Sequence, residues 1–151
     1  MGKRINLSQQ QVPLISCKFR EEDQFVFLDF GHITKQKKYC YEALLEKQKN
    51  DPLILQSFFR MIVEMSQLTW AELAHRSKFQ IGGYEPLSLW KFNVAIWDQL
   101  DPTMTEDVKL LVFRFGKGQA YRMIGYKSSG CRHALHILGF DLDYSLYDHG
   151  N

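Results

Sequence analysis

Between Lys109 and His136 the chain carries six basic residues, Lys109, Arg114, Lys117, Arg122, Lys127 and Arg132, and no Asp or Glu. From Ile137 onward the sign reverses: Asp141, Asp143 and Asp148 stand there with no Lys or Arg. Arginine forks match phosphate bidentately, and Tyr126 offers a nucleobase a stacking surface. His136 and His149 can exchange protons near neutral pH. These residue types point to an anionic ligand, most naturally RNA. Arg114, Lys117, Tyr126, Lys127 and Arg132 would bind the nucleic acid.

Other chemistries fit the residues less well. His133 and His136 differ by an odd spacing, which on a strand sends them to opposite faces. Asp141, Asp143 and His149 are too few for an oxygen-ligand cation site, which needs several converging groups. Gly116-Lys117-Gly118 lacks the spacing of a phosphate-binding loop, and no Ser or Cys lies in a nucleophile elbow. Cys17, Cys40 and Cys131 are far apart and form no C-x-x-C, so they read as ordinary thiols in a reducing cytoplasm. No metal site and no cofactor is expected. Trp70, Trp90 and Trp97 sit at helical positions and read as core.

The elements that must position these residues follow from periodicity. The chain has 151 residues, 45% of them hydrophobic, which suits one domain with a real core. The first dozen residues are polar and read as a loose segment without the apolar stretch of a signal peptide. No apolar run approaches the ~20 residues of a membrane span. Leu14 to Arg20 and Phe25 to Phe30 read as an N-terminal β-hairpin, closed by Gly31. Lys35 to Lys49 suits a modest helix. Leu53 to Met65 is the greasiest helix, with Leu55, Phe58, Phe59, Ile62 and Met65 on one face. Thr69 and Glu72 have capping-box spacing for a helix over 70–77. Leu89, Phe92, Ile96 and Leu100 predict another helix over 88–100.

Three strand-like runs close the chain: Val108 to Phe115, Gln119 to Lys127, and Cys131 to Phe140. The intervening Gly116-Lys117-Gly118 and Ser128-Ser129-Gly130 read as three-residue hairpin loops. That sets Phe115 opposite Gln119, Phe113 opposite Tyr121, and Arg122 opposite His136. One face then holds Leu111, Phe113, Phe115, Tyr121, Met123, Leu135 and Ile137, ready for the helices. The other holds Arg114, Arg122, Tyr126, Arg132 and His136, with Leu110, Val112, Ile124 and Leu138 between them. The expected fold class is α+β: an N-terminal hairpin, a helical middle, and a C-terminal three-stranded antiparallel meander packed on helices. An open basic face would take RNA. A covered one leaves an interaction module for a protein partner or a homodimer.

The block F-R-F-G-K-G-Q-A-Y-R-M-I-G-Y (Phe113 to Tyr126), followed by H-I-L-G-F-D-L-D-Y-S-L-Y-D-H (His136 to His149), resembles the end of a group of small bacterial and mobile-element proteins. That group lends no catalytic residues. The order of strand, helices and meander, with a tyrosine–arginine strand and an aromatic–histidine tail, is similar to RelE-like messenger-RNA-cleaving toxins. That resemblance implies cleavage of ribosome-bound RNA, in which a general base takes a 2′-hydroxyl proton, arginines stabilise charge at the phosphorus, and an acid protonates the leaving oxygen. Arg114, Arg122 and Arg132 would supply the charge, with Arg122 the catalytic cation, His136 or His149 would be the acid or base, and Tyr147 and His149 would stand at the matching tail positions. Cleavage is expected to need no metal, since the sequence offers no convincing metal site. This chain is longer than those toxins and its tail is acidic.

Overall fold

The computed structural model describes residues 25–130 and 133–149. Among these residues five strands form one sheet: β1 (Leu28–Asp29), β2 (Tyr84–Ser88), β3 (Lys109–Phe115), β4 (Tyr121–Lys127) and β5 (Leu135–Asp141), in the order β1-β5-β4-β3-β2. β2 to β5 pair antiparallel, and β1 joins β5 in parallel. Helices α1 (Tyr41–Lys47), α2 (Ile54–Ser66) and α3 (Trp70–His75) lie between β1 and β2 in the chain. The fold is therefore α+β with the sheet packed on helices. The meander is the centre of a wider mixed sheet. Leu14 to Arg20 lie outside the described residues, as does the polar start. The second run of the expected hairpin supplies β1.

α2 buries Ile54, Met61 and Met65, with Phe58 packed beside them. The spacing i, i+4, i+7, i+11 is one helical stripe. Phe58 meets Phe115 and Phe140 at ring-centroid distances of 5.6 and 5.3 Å. Phe59, expected in the core, is 66% exposed because it falls one position off that stripe. At α3, Thr69 Oγ1 accepts the Glu72 amide and the Glu72 carboxylate accepts the Thr69 amide, both at 3.1 Å, so the capping box forms.

The expected helix over 88–100 is instead the end of β2 and two 3-10 turns, Leu89–Lys91 and Val94–Gln99. Leu89, Phe92 and Ile96 still point inward and cover Leu110, Val112, Ile124 and Leu138, together with Leu146 and Tyr147 from the tail. The sheet is thus covered on both faces. The face expected to be an open basic platform lies beneath this layer. Trp90 is 60% exposed and belongs to neither core.

The hairpin registers differ from expectation. Phe115 pairs with Tyr121 and Arg114 with Arg122, two residues along from the expected partners. The turn is wider because Gly116, Gly118 and Gln119 all take positive φ, at 82°, 64° and 53°. A shift of two preserves the faces. In the next hairpin Tyr126 pairs with His136, and Gly125 with Ile137, but Ile124 pairs with Gly139. Leu138 is the extra residue of a bulge. Beyond it Arg122 pairs with Asp141, so the expected Arg122–His136 neighbourhood does not form. Gly139 lets the 34–39 segment pass closely, since a Cβ there would lie 2.9 Å from the Tyr39 carbonyl oxygen.

Candidate functional site

The end of the sheet at the β3–β4 turn gathers part of the expected set. Arg114 and Arg122 are direct cross-strand neighbours on one face. Like charges so placed repel, and acidic neighbours must offset them. Glu85 does so for Arg114, at 3.4 Å. Burial pushes the Glu85 carboxyl upward, but hydrogen bonds and charge from Lys78 and Arg114 hold it below the ordinary value. Arg122 is 6% exposed and donates to the carbonyls of Gln119 and Tyr121. Its Nε, like that of Arg114, is buried without a hydrogen-bond partner.

Opposite Arg122, Asp141 ends β5 with its side chain fully buried. Its oxygens accept the amides of Ser145 (3.0 Å) and Leu146 (3.3 Å), which folds the tail back onto the sheet. The tail's return is completed by a bridge between Phe92 and Tyr147. His149 then places Nε2 3.0 Å from Asp141 Oδ2. With Nε2–H donating to the carboxylate, Nδ1 is left as the basic nitrogen. Tyr147 stacks on the imidazole, ring centroids 3.9 Å apart. Burial pushes the Tyr147 hydroxyl's pKa up, with Arg122 pulling the other way.

Tyr144 crowns this cluster. It is 53% exposed, and its backbone sits in the left-handed region at φ 61°. A bulky residue rarely takes that conformation without compensation. Its ring stands 5.6 Å from the Arg122 guanidinium and 5.0 Å from the His149 ring. Sequence reasoning missed Tyr144, and nothing in residue type or spacing marks it. It treated Asp141 only as a weak cation ligand, although an acid at a strand end before a polar turn is the signal for a capping carboxylate.

Lys117 stands at this end of the sheet, exposed in the β3–β4 turn, but Lys127, Tyr126 and His136 do not converge here. Lys127 faces the opposite side of the sheet, its ammonium 4.4 Å from the Trp70 ring. Arg132 lies outside the described residues. Tyr126 and His136 sit as a pair four residues further along β4, about 13 Å away at the usual strand rise.

There His136 meets a different group. Parallel pairing sets Asp29 beside it, and Asp29 Oδ2 lies 2.5 Å from His136 Nδ1 and 2.8 Å from His32 Nδ1. Asp29 Oδ1 accepts the Gly31 amide at 2.9 Å. Burial raises the Asp29 pKa, but the Gly31 amide and the two histidines outweigh it and bring it down to about 2. A cavity of about 190 Å³ opens beside the two imidazoles. No protein-family model, curated protein or solved structure matches the chain. Among the described residues, no helix is long and apolar enough to cross a membrane.

Proposed function

We propose that the protein binds RNA and acts on its phosphodiester backbone, and that the reacting group is His149 at the tail end of the sheet. The observation that carries this reading is the His149–Asp141 pair, set against Arg122 and beneath the exposed Tyr144 ring. In this reading Asp141 holds the imidazole so that Nδ1 takes a 2′-hydroxyl proton. Arg122 supplies positive charge from below, and Tyr144 offers a base its free ring face. Arg114 and Lys117 extend the positive edge along the same end of the sheet. His136 is too far along the sheet to share the chemistry.

The test is incubation of the purified chain with RNA and ribosomes in chelator. His149→Ala is expected to slow cleavage by about 10²–10⁴ while leaving RNA affinity nearly intact. Intact RNA with the wild type, or equal cleavage by both proteins, would remove the reading. A second reading, self-association without catalysis, rests on a different observation: Leu53, Phe59 and Val63 are 64%, 66% and 41% exposed on α2 and the residue before it. The apolar residues first expected to serve it, on the sheet, are buried. Sedimentation of wild type and Phe59→Asp separates the two, since only the second reading expects a dimer that the substitution dissolves.

A further inference from the structure

We propose that Asp29, His32 and His136 form a site for one divalent transition-metal ion of the zinc type, with an open coordination position facing the adjoining cavity. The site is independent of the His149 cluster. Its three donor atoms lie within 4.8 Å of one another. Two imidazoles and one carboxylate are the borderline ligand set that suits Zn²⁺ or Co²⁺, not the all-oxygen shell of Ca²⁺ or Mg²⁺. With metal–ligand bonds of about 2.0–2.1 Å, tetrahedral donors stand about 3.3 Å apart. The two imidazole nitrogens now share one carboxylate oxygen at 2.5 and 2.8 Å. Small outward movements would admit an ion between them, and His32, whose side chain is 52% exposed, has room to turn.

The arrangement also has the supports of a ligand set. Asp29 Oδ1 is held by the Gly31 amide, which leaves Oδ2 turned toward the imidazoles. Such outer hydrogen bonds orient a ligating carboxylate. Asp29 and His136 stand on paired strands, so their backbones are fixed by the sheet. Three protein ligands leave at least one position of a zinc-type ion open. The cavity of about 190 Å³ on that side is lined by Tyr126, Gln99, Asp101 and Met104, and no Lys or Arg stands among the described residues of its wall. Asp101 there is of the sign that favours a cation, and the space suits water or a small oxygen ligand.

The test is titration of the untagged, chelator-stripped full chain with Co²⁺, followed by its visible absorption, and with Zn²⁺ by calorimetry. The wild type is expected to bind one ion. His32→Ala and His136→Ala are each expected to weaken binding at least about tenfold. His75→Ala, which removes an exposed histidine outside the cluster, should leave it unchanged. His32 lies on an exposed turn, so its variant stays informative if His136→Ala fails to fold. No saturable binding by the wild type overturns the site, as does binding that survives His32→Ala. Loss of binding in His75→Ala overturns it too, because the ion would then sit elsewhere. None of these readouts depends on RNA cleavage.

Discussion

Strand β5 carries a histidine–aspartate pair at each end, and the two pairs differ in the carboxylate. Near its start, Asp29 is 36% exposed at the side chain and shares one oxygen between two imidazoles. At its end, Asp141 is fully buried, spends its oxygens on the amides of Ser145 and Leu146, and has one imidazole left to orient. A buried carboxylate saturated by backbone donors is a structural hub that fixes the direction of a ring. An exposed carboxylate between two rings is a site where a third species can enter. The same two residue types thus serve positioning in one place and, in our proposal, chelation in the other.

The contrast is sharpest in stability. Asp141→Ala would take the acceptor from the Asp143, Ser145 and Leu146 amides and from the His149 ring; a buried polar group left unpaired costs about 1–3 kcal/mol, and the Leu146 amide is buried. A loss of about 3–5 kcal/mol in urea unfolding is expected. Asp29→Ala, at a partly exposed position, should lose less than about 1 kcal/mol. Equal losses would erase the distinction between the two pairs.

The sequence alone showed why Arg114, Arg122, Tyr126 and His136 share a face, because strand parity survives a register shift of two. It could not show where the parity breaks. The bulge at Leu138 sends Phe140 into the helix-side core and Asp141 to the face of Arg122, and nothing in His-Ile-Leu-Gly-Phe-Asp marks it except the glycine. Nor could it show the Asp29–His136 contact. The two residues are 107 positions apart and meet through a parallel pairing that a hairpin reading does not contain. The error over 88–100 has another cause. Leu89, Phe92 and Ile96 keep a three- and four-residue spacing, which two 3-10 turns satisfy as well as one helix does. The preceding β2 contains Pro86, which argues against a central strand, but β2 lies at the edge of the sheet where proline is tolerated.

A medium effect is expected at the bulge itself, the device that separates the two pairs. Gly139→Ala would drive a methyl to 2.9 Å from the Tyr39 carbonyl oxygen and about 3.3 Å from Ile96 and Thr34 side-chain atoms. Overpacking of this kind costs roughly 1–3 kcal/mol. The strain lies between the pairs, so amide exchange should rise along the 34–39 segment and β5 while the Ser145 and Leu146 amides stay protected. Rapid exchange at those two amides would mean that Asp141 does not hold the tail by itself.

The smallest effect concerns Tyr147, which stacks on His149. Burial of its hydroxyl raises the pKa, and the Arg122 charge opposes that without cancelling it. The folded-state value lies above the unfolded one, so the neutral phenol's contribution is complete below the unfolded pKa of about 10 and is lost as pH rises through the folded value. Tyr121, pushed up to about 12 by burial and its hydrogen bond to Asp51, also ionises late, so spectrophotometric titration of Tyr147→Phe should show one late-ionising tyrosine fewer than the wild type. An early transition would require the Arg122 charge and hydrogen bond to outweigh burial. In that event Arg122 would be neutralised by Tyr147 at alkaline pH. It could then no longer be the charge behind His149 there, and any RNA cleavage should fall over the same pH range in which Tyr147 ionises.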